Sequence, residues 1–401
     1  MEKVGRTKMI IPLNLTSWCS PPAPADFNET RQVVFIKVHK AASSTVQNIL
    51  LRFAMARNLS ALLPRQGPII SQHKPVFSRA DVVPHPEGKA SFDILCSHVI
   101  YDKEQLSIYF PETAPRVAIL REPLRQTISA LVYYAIKFPS SALMAGVAKH
   151  PADPINGFLE YPEDFCPAEG QASATHSFIN NRMSIDLGLS PREIQFSIRN
   201  QTIAENFIRK LEKELDLVLI SDYFDESMVL LRRHLHWPMK DIMYLKVNTS
   251  PQIQNTSVWN STPKLNSTIN ATFHQWAFYD YAIYNHFLTI FLRKIESECL
   301  FYEEVGVYKL MQNDVVKYCR NATHQASLQV PAGKWNEAFS VSAADCTLMS
   351  TGENNMIDTA RKRQLERRRM YYLKMLRHSQ TRQQLPFYIN RKPNPWIKAH
   401  R

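Results

Sequence analysis

Four consecutive apolar β-formers, Val33-Val34-Phe35-Ile36, stop at a short polar turn. A helical pattern follows, with Val46, Ile49, Leu50 and Phe53 on one face. The same succession recurs at Arg116-Val117-Ala118-Ile119-Leu120. There Arg121 and Glu122 form the turn and a helix is predicted over 124–136. Between these units, 92–98 reads as a short apolar strand ending at His98. Charged and apolar residues alternate at helical spacing over 202–215, and a buried strand is predicted over 216–221. A helix over 225–235 comes next, with Asp225 near its start. Phe278, Ile283, Phe287, Ile290 and Phe291 mark a helix over 276–295, and 359–378 predicts a basic helix with Leu365, Tyr372 and Leu376 on one side. Pro- and Ser-rich 59–91, loop-rich 139–175 and Ser/Thr/Asn-rich 248–272 read as connections, and His73 and Lys74 fall in the first of them.

Strands separated by helices and long connections predict an α/β fold with a mostly parallel central sheet flanked by helices on both faces. Ligands in such sheets sit at the carboxyl ends of the strands. Lys40, His98 and Arg121 each follow a predicted strand, so the pattern brings them to one crevice. Strand, small-residue loop and helix form a phosphate-binding geometry, because loop N–H groups and a helix N-terminus converge on one place. Lys40 adds a full charge, and Ser43, Ser44 and Thr45 are expected to donate hydroxyl hydrogen bonds and cap the helix. On this stretch alone, a buried strand followed by a Ser/Thr-capped helix is an equal reading. There is no G-x-x-x-x-G-K-[ST], so a Mg-nucleotide NTPase is not supported.

Composition adds two facts. The 401 residues are 45% hydrophobic and 21% charged, ordinary for a globular enzyme. The formal charge of +12 is confined to the end of the chain. From Ala360 to Arg401 there are 13 Lys+Arg and one acid, Glu366, while the rest balances. A solvated charged helix is the reading for this tail, with contact to anionic glycans or lipid head groups as the functional alternative.

Ten N-x-[ST] sequons begin at Asn14, Asn28, Asn58, Asn200, Asn248, Asn255, Asn260, Asn266, Asn270 and Asn321. Their number and clustering point to a glycosylated lumenal or secreted surface. Six cysteines permit disulfides there without revealing their pairing, and Cys96, inside an apolar strand pattern, reads as a buried free thiol. The longest early apolar run, 9–15, is broken by Pro12 and Asn14 and falls far short of the ~20 residues a membrane span needs.

The segment His39-Lys40-Ala41-Ala42-Ser43-Ser44-Thr45 resembles the first nucleotide-binding loop of the galactose-3-O-sulfotransferases. The unit from Arg116 to Ser129 resembles the second signature of sulfotransferases that use 3'-phosphoadenosine 5'-phosphosulfate (PAPS). The resemblance continues through Ile94-Leu95-Cys96-Ser97-His98, through Asn181-Arg182-Met183-Ser184-Ile185-Asp186-Leu187-Gly188, through 223–233 and through Tyr284-Asn285-His286-Phe287, so it spans about 30–320 in order. It implies a P-loop-like sulfotransferase fold and divides the chain into a lumenal stem over 1–30, a sulfotransferase domain over 31–320, a C-terminal extension over 321–359 and the basic tail over 360–401. It also implies a transferase of glycolipid biosynthesis in the Golgi lumen, a type II membrane glycoprotein whose signal-anchor is absent from this chain.

What the resemblance implies for the site is specific. His39, Lys40, Ala41, Ala42, Ser43, Ser44 and Thr45 hold the 5'-phosphosulfate of PAPS, and Arg121 and Ser129 hold its 3'-phosphate, with Arg125 assisting. Lys40 stabilises the leaving phosphate and His98 is the base, with His39 as its rival. Many related motifs carry Asp or Asn where this chain has Glu122. Asn181, Arg182, Trp276 and His286 are further candidates for a galactose ring. No Cys/His spacing supports a zinc site and no acidic cluster a magnesium site, so no metal is expected. The acceptor expected is the 3-hydroxyl of a terminal β-galactose on galactosylceramide or on a glycoprotein glycan, and nucleic acid is not an expected partner. Three rivals stand beside this reading: a sulfotransferase of another carbohydrate, a kinase-like phosphotransferase, and an inactive glycan-binding relative.

Overall fold

Val33–Ile36 forms the central strand β1, and all four of its side chains are buried, as an apolar run in a parallel sheet requires. The computed structural model describes residues 29–72, 75–166, 178–196, 199–246, 262–321 and 326–378. Strands β2 (Ala61–Leu62), β3 (Ile94–Leu95), β4 (Arg116–Leu120) and β5 (Leu217–Ile220) complete a five-stranded sheet in the order β2-β3-β1-β4-β5. Every neighbouring pair is parallel. The α/β class and the parallel, helix-flanked sheet are therefore as expected. β1 lies between β3 and β4; the chain runs from β1 to β2 and β3 on one side and then crosses to β4 on the other, and the crevice at the carboxyl end of β1 is where such sheets bind ligands.

The helices that carry the site have clear local causes. Ser43–Ala56 follows β1 and buries Val46, Ile49, Leu50 and Phe53 against the sheet. Pro123–Lys137 follows β4 with Pro at its first position, where the missing N–H costs nothing. Its N-cap is Glu122, whose carboxylate accepts from the N–H groups of Leu124 (3.1 Å) and Arg125 (2.8 Å). Asp and Asn suit the same capping task.

Two connections hold more structure than their composition predicted. Helices Ala142–Lys149 and Pro154–Glu160 lie inside the loop-rich 139–175, started by Ser141 and Asp153, whose side chains accept from the N–H groups of Met144 and Asn156. Strand β2 lies in the Pro/Ser-rich 59–91. His73 and Lys74, nearly all of the stem and most of 248–272 lie outside the described residues. All five described sequon asparagines, Asn58, Asn200, Asn266, Asn270 and Asn321, are exposed. Among the described residues no single helix is long and apolar enough to cross a membrane.

The C-terminal helix spans Glu353–His378 and starts six residues before the predicted boundary. Met356, Ile357, Ala360 and Gln364 are buried on the face that meets helix Ser43–Ala56. Gln364 accepts from the Ala61 N–H (2.9 Å), Arg361 donates to the carbonyls of Pro64 and Gly67, and Arg367 and Arg368 donate to those of Leu59 and His85. Only its outer face is solvated. Leu365 belongs to that face at 44% exposure, whereas Tyr372 and Leu376 are half-buried. Arginines that read as free charge in the sequence are spent on loop carbonyls.

Cys96 is a buried free thiol, with burial pushing its pKa to about 12. Cys319, at the end of helix Phe301–Arg320, is bonded to Cys346 in helix Ala343–Ser350. This bridge ties the C-terminal extension to the main body. Closing a loop of this length stabilises a protein by about 2–4 kcal/mol. Cys346→Ser is expected to lower the urea midpoint accordingly, and an unchanged midpoint would show that the extension is held by packing alone.

Candidate functional site

The turn after β1 is built from left-handed backbone. Lys40 (φ 59°) and Ala42 (φ 60°) both lie in the region that favours glycine, at a cost of order 1–3 kcal/mol each. Such left-handed turns point backbone N–H groups into a concavity that receives anions. Ala42 is the N-cap of helix Ser43–Ala56 and supplies no side-chain cap. The expected Ser/Thr capping is not observed, because Ser43 turns its hydroxyl to the Val38 carbonyl and Ser44 donates to Glu353. The helix N-terminus is thus left to face the cavity, an arrangement that favours an anion. Ala41 is fully buried in the core and packs the loop.

Lys37, the first residue after β1, is the centre of the site and was not singled out by the sequence. Its buried ammonium meets the Ser43 hydroxyl (3.4 Å), the Ser44 hydroxyl (3.2 Å), His98 Nε2 (3.1 Å) and Glu353 Oε1 (3.3 Å). His98 Nδ1 lies 3.0 Å from the Lys37 carbonyl, an acceptor, so Nδ1 carries the proton and Nε2 presents its lone pair. Glu353 Oε2 accepts from Ser44 (2.9 Å). Burial alone would raise the Glu353 pKa, but the Lys37 charge, His98 and the hydrogen bonds from Ser44 and Lys37 bring it down to about 2.

His39 stacks on His98 with ring centroids 3.8 Å apart. Its N–H donates to Asp186 (2.7 Å) and its Nδ1 faces the same carboxylate at 2.8 Å, which Arg182 also holds at 2.7 Å. Burial, then the charges of Arg182 and the nearby lysines, hold the His39 pKa well below 6.5. His98 is depressed likewise, by burial, by His39 and by Lys37. Both rings are therefore neutral in the fold at pH 7. An unfolded histidine binds a proton below about 6.5, so stability is full above that pH and falls as the pH drops, by up to ~2 kcal/mol per histidine at pH 5. Urea unfolding at pH 7 and pH 5 should show this loss, reduced in His98→Asn. Equal stability at both pH values would mean that the rings are charged in the fold.

Lys37, His39, His98 and Glu353 line one cavity of about 1100 Å³ at the carboxyl ends of the strands, as do Lys40, Ala42–Thr45, Arg121, Arg125 and Ser129. The convergence of Lys40, His98 and Arg121 is thus observed. Arg121 bridges the two turns by donating to the Lys40 carbonyl (3.0 Å). The Lys40 ammonium lies 4.1 Å from the Tyr133 ring centroid, and burial, then Arg121 and Lys37, lower its pKa to about 8. Arg125 pairs with Asp222 at the rim (3.2 Å). Tyr133, Tyr134, Lys137, Tyr223 and Lys246 add aromatic and cationic walls.

The weaker candidates lie elsewhere. Arg182 is fully buried and braces Asp186. Asn181 donates to the Trp276 carbonyl (3.0 Å), and these two residues border a separate cavity of about 310 Å³. His286 pairs with Glu212 on the outside of the helices. Spacing alone had no means of separating them from the site.

Residues 8–329 match the family described as galactose-3-O-sulfotransferase. Galactose-3-O-sulfotransferase 2 of Mus musculus is 30% identical over 312 residues, covering 73% of this chain and 72% of that protein. Galactose-3-O-sulfotransferase 3 of Bos taurus is 32% identical over 69% of this chain and 60% of its own length. Galactosylceramide sulfotransferase of Homo sapiens is 29% identical over 70% of this chain and 64% of its own. This chain thus spans less than two thirds of the last two relatives. With the family matched across most of its length and the sheet as described, the chain belongs to the galactose-3-O-sulfotransferase family.

Proposed function

We propose that this chain is a PAPS-dependent sulfotransferase that sulfates the 3-hydroxyl of a terminal β-galactose on glycolipids such as galactosylceramide or on glycoprotein glycans. The observation that carries the reading is the cavity at the end of β1. It joins an uncapped helix N-terminus to Lys37, Lys40 and Arg121 and to a neutral histidine.

The donor is anionic at both ends, and the residues fit that charge. Lys40 and the backbone of Ala42–Thr45 would hold the 5'-phosphosulfate, with His39 and Ala41 shaping the loop. Arg121 and Ser129 would hold the 3'-phosphate, Arg121 through charge-assisted hydrogen bonds. When bound, the donor supplies an activated sulfuryl group. The chain's own residues do the rest. His98 Nε2 accepts the proton of the acceptor hydroxyl, while its Nδ1–H stays fixed on the Lys37 carbonyl. Lys37 can release Nε2 because Ser43, Ser44 and Glu353 also surround its ammonium. Lys40 places positive charge where negative charge develops on the departing phosphate. Tyrosines 133, 134 and 223 give the cavity faces on which rings pack.

A Golgi-lumenal site of action is supported by the five exposed sequon asparagines and by the disulfide, which needs an oxidising compartment. The reading is tested by sulfate transfer from labelled PAPS to galactosylceramide, lactosylceramide, N-acetyllactosamine, a core-1 disaccharide and a non-galactose control. Label on the galactose 3-position alone is the expected result. A folded sample that binds no PAPS would overturn the site.

A further inference from the structure

Residue 353 lies beyond the family-matched segment, which ends at residue 329, yet its side chain enters the cavity. It stands at the start of the C-terminal helix, which is fixed by Met356, Ile357 and Ala360 in the core and, one short helix upstream, by the Cys319–Cys346 bridge. The carboxylate is only 19% exposed and touches three groups of the site. Those are Lys37 Nζ at 3.3 Å, Ser44 Oγ at 2.9 Å and, at 3.8 Å, His98 Nε2. The acid is therefore built into the site by a segment that packs for its own reasons.

Two consequences follow from this placement. Lys37 carries a buried charge next to the lone pair that His98 must keep for its proton, and an ammonium without a counter-charge would both resist burial and press on that lone pair. The carboxylate gives it another place to donate. Once His98 has taken a proton, the same carboxylate faces the new Nε2–H and balances its charge. The other titratable groups around His98 are His39 in the loop, a neutral ring, and Asp186 on helix Arg182–Asp186, and Asp186 is already held by Arg182 and His39.

We propose that Glu353 is a positioning residue for sulfuryl transfer, holding the Lys37 ammonium between Ser44 and His98, so that the C-terminal helix completes the active site. This rests on the sulfotransferase reading above. Glu353→Gln in the full chain is expected to lower kcat by about tenfold or more, the worth of one charge-assisted hydrogen bond, while binding of adenosine 3',5'-bisphosphate measured by calorimetry stays unchanged. Glu353→Asp, which keeps the charge, should restore most of the rate. Wild-type kcat in Glu353→Gln overturns the proposal, and so does an Asp variant no faster than the Gln variant. Markedly tighter bisphosphate binding with undiminished kcat also overturns it, because the carboxylate would then be an internal competitor for the anion site. Should the wild type transfer no sulfate at all, the functional reading fails, and the positioning contact is read separately from the Lys37 ammonium signal in NMR. A signal protected from exchange in the wild type and lost in Glu353→Gln supports the contact. Equal signals overturn it.

Discussion

His98→Ala is expected to lower kcat by about 10²–10⁴-fold, the usual worth of a positioned base, with donor binding retained. The argument begins with hydrogen bonding. Nδ1 is committed to the Lys37 carbonyl, so the basic lone pair is Nε2, on the side of the cavity. Its depressed pKa keeps the ring neutral, and kcat/KM should stay level as the pH falls through 6.5, where an ordinary histidine would already be protonated. His39 is the control. Its Nδ1 and its backbone N–H are both taken by Asp186, which makes it a brace under the His98 ring. His39→Ala should lower stability more than turnover at saturation. Lost donor binding in His98→Ala, with normal turnover at saturating donor, would reassign His98 to the donor site.

Much of this arrangement is written locally in the chain. β1 and β4 are apolar runs that end in a charged turn, and such runs are legible because burial on both faces of a parallel sheet leaves no polar alternation. Arg121 and Lys40 stand where strands stop, and that rule alone brings them to one crevice. Two features escaped for physical reasons. Lys37 continues the strand and looks like an edge residue until the fold buries it, and the acid beside its ammonium is Glu353, which is 309 positions from Ser44. No local periodicity reports a contact at that separation. The uncapped helix start escaped for the opposite cause. Three hydroxyl residues in a row resemble a cap, but left-handed Ala42 takes the N-cap position, and the Ser43 and Ser44 hydroxyls go to Val38 and Glu353. The basic tail misled in part because charge counting takes no account of carbonyls. Arginines that donate to loop carbonyls are indistinguishable in sequence from solvated ones.

Lys40→Ala is expected to cost about 10²–10³-fold in kcat, the scale seen when one charge-stabilising donor is removed from a transition state. Its ammonium lies on the Tyr133 ring in a cluster with Arg121 and Lys37, and like charges raise the energy of that arrangement until an anion arrives. The same crowding gives the prediction a second, independent signature. With a pKa of about 8 in the free protein, Lys40 loses its proton as the pH rises through that value, so kcat/KM should fall on the alkaline side near pH 8, well before an ordinary lysine titrates at about 10.4. Lys40→Arg keeps its charge throughout this range. It should run more slowly than wild type, because a planar guanidinium replaces a point charge, yet show no fall near pH 8. Wild-type turnover in Lys40→Ala would sink the role outright. An alkaline limb that survives unchanged in Lys40→Arg would place that titration on another group and leave the charge on Lys40 without a part in the rate.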